Sequence, residues 1–175
     1  YIVAVKNEVK ELLFHQEEDF DGTATVQTVN SHPKSTEQFS FGMPQEESAE
    51  ATFSAPKTYL YEPNAAVMKS GAFKLISEHF KLDKLDLHTH LYTSDENIVD
   101  FPGKIYKISN CYPYQKKPLK KAIGGLKANV KTRNFSEKIE VLKTLFKLTD
   151  GGDLYLFFSS SNGKKMVVEG RLNTI

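Results

Sequence analysis

The 175-residue sequence contains no tryptophan and a single cysteine, Cys111. One cysteine excludes an internal disulfide and favours the reducing cytoplasm. No apolar run approaches the roughly 18 residues of a membrane-spanning helix, and the pattern of a cleaved leader is missing. With 39% hydrophobic and 26% charged residues, the chain can bury a core. We therefore expect a cytoplasmic globular protein of one domain or two small ones, with no membrane contact.

The sequence also lacks the motif that binds a nucleotide-type cofactor. Such a site needs a glycine-rich turn after a strand, and an acidic residue on the next strand for the ribose hydroxyls. The glycine pairs at 124–125 and 151–152 both follow predicted helices, and they indicate helix ends or turns. We expect no cofactor to bind to this chain alone.

Candidate catalytic and metal-binding residues are few. Cys111 has no histidine or acidic residue at a spacing that would activate its thiol, which favours simple packing. His88 and His90 would point to the same side of a strand, as a metal pair requires, but no third ligand is evident. The sequence therefore predicts neither a catalytic residue nor a metal site.

Charge is distributed very unevenly along the chain. Residues 1–54 hold three lysines and ten acidic residues, a balance of −7, whereas residues 55–175 have a balance of +8. Between Lys104 and Lys147 there are twelve basic residues, against only Glu137 and Glu140. A folded segment with this excess repels itself, and such a surface is typical of a protein that binds a polyanion.

The centre of the basic excess is the stretch KKPLKKAIGGLKANVKTRNF, residues 116–135, which contains no acidic residue. Basic side chains there could form one patch on a helix end, a turn and a strand. Tyrosines beside the stretch could stack on unpaired bases, at about 1–3 kcal/mol each, or could simply pack at the rim of the core. The candidate binding residues are Lys116, Lys117, Lys120, Lys121, Lys127, Lys131, Arg133, Tyr112 and Tyr114.

The first 54 residues are predicted to contain a strand, a helix and further strands. Residues 2–5 are typical of a buried strand, and because no lead-in precedes them we expect the chain to start inside a larger fold. Asn7 can cap a helix that continues to about Glu18, with Val9, Leu12 and Leu13 on one face. Alternation predicts strands over 23–30 and 37–41, followed by an acidic loop over 45–50 and possible strand residues at 51–54.

From Pro63 onward the pattern changes to that of an α+β protein. Apolar residues at helical spacing predict one core-facing helix over 62–80, and two strands should follow. Pro118 opens a basic helix that ends at Gly124, and Ser136 caps a second helix. The pair Asn162-Gly163 predicts a hairpin between the last two strands. From Pro118 the expected order is helix, strand, helix, strand, strand.

Several segments of the sequence resemble one protein family. YLYEPNAAVMKSGAFKLI, HLYTSDENIVDFPGKIYKI, ANVKTRNF and DGGDLYLFFSSSNGKKMVV are similar to the C-terminal half of bacterial class I SAM-dependent methyltransferases with a THUMP-like domain. The resemblance implies three parts. These are the closing elements of a Rossmann-type methyltransferase sheet over 1–54, a ferredoxin-like segment over 57–108 and a THUMP-like domain over 109–175.

The resemblance also implies a function. THUMP domains bind RNA, commonly transfer RNA, beside a modifying domain, and the basic excess agrees with that role because phosphate neutralisation releases counterions. The chain is then the RNA-binding, substrate-positioning module of a transferase that uses SAM elsewhere, with tRNA or rRNA as partner. The alternative is a protein-interaction or structural module, in which the acidic part docks on the basic part of its own or a sister chain.

Overall fold

The computed structural model describes residues 1–173 and arranges them in two β-sheets. The first sheet has four strands in the order β2-β1-β3-β4. Strand β1 is parallel to β3, and the other neighbours are antiparallel. The strands are β1 Ile2–Val5, β2 Glu8–Leu12, β3 Thr25–His32 and β4 Ser35–Gly42.

Strand β2 occupies the place of the helix that was predicted after Asn7, so that prediction was wrong. Lys6 and Asn7 have φ of 50° and 64°, the conformation of a two-residue hairpin turn, and the chain reverses onto β1. The side chain of Asn7 does not cap the predicted helix, because its Oδ1 accepts a hydrogen bond from the backbone N–H of Ala65 at 2.7 Å. The helix predicted over 7–18 therefore has no counterpart here.

The acidic segment that follows β4 is helical rather than a loop. Helix α1, Met43–Ser48, begins after Gly42, whose N–H donates to Gln45 Oε1 at 2.6 Å. The strand expected over 51–54 is reduced to one bridge, between Phe53 and Lys84.

The second sheet has seven strands in the order β6-β7-β5-β8-β11-β10-β9. All neighbours are antiparallel except β9 and β10. The eleven-residue β8 pairs with β5 on one side and β11 on the other, and so joins the two halves of the sheet. The strands are β5 Tyr59–Pro63, β6 Asp83–Asp86, β7 Thr89–Ser94, β8 Gly103–Pro113, β9 Asn129–Thr132, β10 Leu154–Ser161 and β11 Lys164–Leu172.

The single helix predicted over 62–80 is wrong. Glu62 and Pro63 belong to β5, and two short helices follow, α2 Ala65–Ser70 and α3 Phe73–His79. Gly71 separates the two helices with a φ of 79°, which ends α2. Pro63 is compatible with β5 because it lies beyond the three residues of the strand that pair with β7, so that side of the strand is unpaired at Pro63.

The order predicted from Pro118 onward is confirmed. Helix α4 is Lys116–Ile123 and helix α5 is Ile139–Phe146, with β9 between them and β10 and β11 after them. Asn162 and Gly163, with φ of 49° and 73°, form the hairpin turn. Two details differ. Helix α4 begins at Lys116, two residues before Pro118. Helix α5 begins after Lys138, and the Ser136 hydroxyl bonds to the Glu137 carboxylate instead of capping the helix.

The four helices α2 to α5 lie on one face of the seven-stranded sheet. Tyr61 packs with α2 and α3, and Phe158 packs with α4 and α5. Their neighbours Leu60 and Phe157 point to the opposite face and share a third apolar cluster with Leu85, Leu91, Tyr106 and Val168. In the described part of the chain, the longest helices have eight residues, too few to cross a membrane.

The helix-free face of this sheet curls onto itself. Strands β5 and β9 are four places apart, about 19 Å in a flat sheet at ~4.8 Å per strand. Nevertheless Glu62 on β5 forms an ion pair with Lys131 on β9, and Thr89 Oγ1 on β7 lies 2.9 Å from Ser160 Oγ on β10. The curl brings distant residues of the sequence into one buried cluster.

The acidic first 54 residues, which contain the four-stranded sheet, contact the N-termini of helices α2 and α3, which lie on the seven-stranded sheet. The Glu46 carboxylate accepts the backbone N–H groups of Lys74 and Leu75, at 2.9 and 2.8 Å, in the first turn of α3. Glu37 Oε2 accepts from Asn64 Nδ2 at 2.8 Å, beside the start of α2. A carboxylate is favourable there because of the partial positive charge of a helix N-terminus. These contacts of the acidic unit therefore involve α2 and α3, rather than the lysines of residues 116–135.

Candidate nucleic-acid interface

Helix α4 presents four lysines to solvent. Leu119 and Ile123 are buried, at 1% and 0% exposure, and fix the helix on the sheet. At 100° per residue the four lysines cover an arc of about 140°, which borders the buried side because Lys116 lies only about 20° from Ile123. They are Lys116, Lys117, Lys120 and Lys121, and all four are exposed.

None of these four ammonium groups forms an ion pair with a carboxylate of residues 1–173. Lys116 and Lys120, and likewise Lys117 and Lys121, are spaced at i, i+4, where like charges cost a few tenths of a kcal/mol per pair. The helix therefore carries a positive charge without acidic partners among the described residues, and only Lys120 and Lys121, in its last turn, gain from the helix dipole. An anionic partner would remove the repulsion.

Lys127 is a fifth exposed lysine without an ion pair to the described residues. It lies between Gly125 and β9, where the backbone N–H of Gly125 donates to Phe146 O at 3.0 Å and Lys127 forms a bridge with Thr149. The segment is thus held against the end of α5, and Lys127 has a defined backbone position.

Lys131 and Arg133 are not free. The buried carboxylate of Glu62, 6% exposed, pairs with Lys131 through Oε2 and with Arg133 through Oε1, the latter at 2.6 Å. Tyr106 donates its hydroxyl to the same Oε2 at 3.0 Å and lies under the Lys131 ammonium. Burial lowers the pKa of Lys131, against the opposing effect of Glu62. The structure gives these two basic side chains an intramolecular role, and their predicted RNA contact stays a prediction.

The two tyrosines in the predicted site are engaged as well. Tyr112 donates its hydroxyl to Glu169 Oε2 at 3.0 Å. The Tyr114 ring packs edge-on against Phe135, with 5.0 Å between ring centroids, and it borders the core under α4 and α5. Both rings are half-buried. Base stacking by either ring, which stays a prediction, would require it to leave these contacts.

The histidine pair does not have the geometry of a metal site. His88 is exposed before β7 begins, whereas His90 stacks on Phe73 with 3.6 Å between centroids. Burial, helped by the charge of Lys84, lowers the pKa of His90 to about 4. Among the described residues, no three or more His, Cys, Asp or Glu side chains are grouped as metal ligands.

Cys111 is a free cysteine at an exposed position. Burial of its thiol, together with the nearby Glu169 charge, raises its pKa. A raised pKa reduces the thiolate fraction and makes the side chain a weak nucleophile.

The described residues do not fit SAM. Within 1–173, no turn with more than one glycine joins a strand to a following helix. A Cβ at Gly103 would lie 2.2 Å from the Glu62 carbonyl oxygen, and a Cβ at Gly124 would lie 2.3 Å from the Lys120 carbonyl oxygen. These glycines allow the chain to contact itself, and they leave no cradle for a nucleotide. That this chain alone binds no SAM stays a prediction.

Three buried polar residues were missed by the sequence reasoning. Glu62 joins β5 to β9, Glu169 receives hydrogen bonds from β8, and Asn64 caps α2 through Oδ1 to the Val67 N–H at 2.9 Å. The available signal was an acidic residue within an otherwise apolar strand, as in YLYEP and MVVEG. A buried carboxylate needs partners of this kind.

Comparison with family models identifies two of the parts. Residues 59–102 match the model of a ferredoxin-like domain, and residues 103–171 match that of a THUMP domain-like family. The chain is thus an α+β protein with a ferredoxin-like and a THUMP-like domain, and these two domains share the seven-stranded sheet through β8.

One solved structure resembles the whole chain. The crystal structure of a "putative methyltransferase" from Porphyromonas gingivalis W83 is 30% identical, with a TM-score of 0.90 over 99% of this chain. The match covers 45% of the P. gingivalis chain, so the present chain spans less than half of that protein. No protein of curated function matches.

Proposed function

We propose that this chain is the RNA-binding, substrate-positioning module of a SAM-dependent RNA methyltransferase. The observation that carries the proposal is the set of four exposed lysines on α4 with no acidic partner among the described residues. The THUMP-like match over 103–171 supports RNA as the anion, since THUMP domains in general bind RNA. The P. gingivalis protein supports methyl transfer as the associated reaction.

The proposal separates RNA binding by this chain from methyl transfer by a catalytic domain. SAM, when bound to a catalytic domain, would supply the methyl group, and the present residues contribute no step of that transfer. Their part is to hold the tRNA or rRNA backbone and so to fix which nucleotide reaches the catalytic domain. We assign the holding role to the THUMP-like part and propose that residues 1–54 form the edge of a Rossmann-type sheet.

A protein-interaction module is the second candidate, and one observation favours it. Twelve large apolar side chains are exposed among residues 1–173, and eight of them lie in the first 54 residues. Several of them line a groove of about 820 Å³, among them Leu12, Leu13 and the 94% exposed Phe14. A contiguous apolar surface of this kind is typical of a protein contact.

A binding experiment with matched charge changes tests the proposal. The double variant Lys117→Glu/Lys120→Glu should retain much less tRNA on a filter at low salt, and equally so for unrelated RNA sequences, because phosphates carry no base information. The control Lys34→Glu/Lys81→Glu changes the net charge equally at exposed sites outside the THUMP-like part. Equal losses for both variants, or no binding by the wild type at low salt, would contradict the proposal and favour the second candidate.

A further inference from the structure

We propose that the α4 surface, defined as Lys116, Lys117, Lys120 and Lys121, recognises the phosphate backbone of double-stranded RNA rather than unpaired bases. This inference rests on the proposed function and names its substrate class. It follows from which side chains accompany the lysines at the surface, and which do not.

The described basic part of the chain offers no exposed tyrosine, phenylalanine or tryptophan ring for stacking. Proteins that bind single-stranded RNA combine positive charge with aromatic platforms on which successive bases stack. Within residues 55–173, no Tyr or Phe is exposed, and the chain has no Trp. The exposed Tyr and Phe residues of the described chain are Tyr1, Phe14, Phe20 and Phe53, all within the acidic first 54 residues.

Arginine, the commonest reader of base edges, is nearly absent. The chain has two arginines. Arg133 is bound to Glu62 at 2.6 Å, and Arg171 is bound to Asp153 at 3.0 Å. Arginine recognises guanine through a planar bidentate fork and can stack on bases, whereas the compact lysine ammonium has no planar fork and cannot stack. The α4 surface therefore has the means to neutralise phosphates and lacks the planar groups that are best suited to read bases or to stack on them.

The rigidity of the surface favours a partner of fixed shape. Leu119 and Ile123 hold α4 on the core, so the four lysines project from a fixed helix. A duplex presents its phosphates in regular rows, and double-stranded RNA is recognised mainly by shape and backbone contacts. A single strand would have to be ordered on a surface that gives no stacking in return, which weakens its binding.

The tested probes are a 20-base-pair RNA duplex and one of its strands, chosen without self-complementarity. Fluorescence anisotropy with the 175-residue chain should give at least about tenfold tighter binding of the duplex at equal salt. The variant Lys116→Gln/Lys117→Gln/Lys120→Gln/Lys121→Gln should lose that preference, and glutamine retains the helix propensity of lysine. The control Lys34→Gln/Lys69→Gln/Lys81→Gln/Lys164→Gln removes four exposed lysines elsewhere and should keep the preference.

The outcomes separate the inference from the proposed function. Tighter or equal binding of the single strand would overturn the duplex inference and leave RNA binding intact. A duplex preference that survives the α4 variant would also overturn the inference, because another surface would then be responsible. Binding of neither RNA would overturn the proposed function itself. Circular dichroism of both quadruple variants shows that any loss is not a loss of fold.

Discussion

Glu62 Oε1 accepts a hydrogen bond from the Arg133 guanidinium at 2.6 Å, across 71 residues of sequence. The contact joins the ferredoxin-like part to the THUMP-like part on the curled face of their common sheet. The same carboxylate also pairs with Lys131, so both basic side chains have an intramolecular partner, whereas the α4 lysines have none among the described residues. One buried carboxylate thus divides the basic residues into a structural pair and an exposed surface.

Replacing Glu62 by Gln should destabilise the protein, because it leaves Lys131 and Arg133 without a counter-charge. Breaking a fully buried pair costs about 3–5 kcal/mol, and partial exposure of the two cations reduces the expectation to roughly 2–4 kcal/mol. Urea unfolding measures the change. The control Asp153→Asn breaks an exposed pair with Arg171 and should cost less than about 1 kcal/mol. Equal costs for the two variants would show that the Glu62 cluster has no special role.

His90 should make the protein sensitive to acid. Its folded pKa of about 4 lies below the ordinary 6.5, so the unfolded chain binds the proton more readily. The contribution of neutral, buried His90 to the free energy of unfolding is complete above about pH 6.5. It is lost as the pH falls toward 4, by roughly 2 kcal/mol at pH ~4.5. The variant His90→Gln should lose less stability than wild type between about pH 7.5 and 4.5. The exposed control His15→Gln should lose as much free energy of unfolding over this pH range as the wild type. An equal loss for His90→Gln would show that His90 is not the source of the acid sensitivity.

Asn64 should contribute twice to stability, as the cap of α2 and as a donor to Glu37. Asn64→Ala should cost roughly 2 kcal/mol, about 1 for the cap and about 1 for the hydrogen bond to a charged group. Asn64→Asp keeps the cap but places a carboxylate beside Glu37, and it should not restore stability at neutral pH. Thermal unfolding measures both. The control is Gln115→Ala, since Gln115 precedes α4 without a side-chain cap. A wild-type stability for Asn64→Asp would contradict the role of the Glu37 contact.

Replacing Gly71 should destabilise the protein because of its backbone conformation alone. Its φ is 79°, and a Cβ there would meet no atom within 4 Å, so any loss comes from the left-handed conformation. Gly71→Ala should cost about 1–2 kcal/mol in urea unfolding. The comparison is Gly42→Ala, where φ is −80° and the nearest atom to a Cβ lies at 3.5 Å, and which should cost less. A neutral Gly71→Ala would mean that the break between α2 and α3 is set elsewhere.

The THUMP-like half was the more predictable part of the fold because its signals are local. Asn162-Gly163 specifies a hairpin turn, and Gly124 follows the buried end of α4. The helix predicted over 7–18 failed because apolar residues at helical spacing also suit a short strand, and β2 pairs with β1 in a hairpin. The helix predicted over 62–80 failed for a different reason, because Glu62 and Pro63 belong to β5 and Gly71 ends α2.

The excess of basic residues at the candidate site could be predicted from the sequence, but which of their side chains are exposed and which have intramolecular partners could not. The sequence gives no indication that Lys131 and Arg133 share a carboxylate partner, because Glu62 is 69 and 71 residues away. The tyrosines were ambiguous from the start, since an amphipathic ring suits both a core rim and a stacking platform. Only the packing of Tyr114 against Phe135 shows which contacts its ring makes.

The salt dependence of tRNA binding tests the central claim most directly. Four phosphate contacts by the α4 lysines contribute about −3.6 to the slope of log affinity against log salt concentration, or about −2.8 on a single strand. The quadruple Lys→Gln variant of α4 should therefore show a slope that is shallower by roughly 3, and the matched control variant should retain the wild-type slope. The same slope for wild type and the α4 variant, at any affinity, would show that these lysines do not hold RNA phosphates.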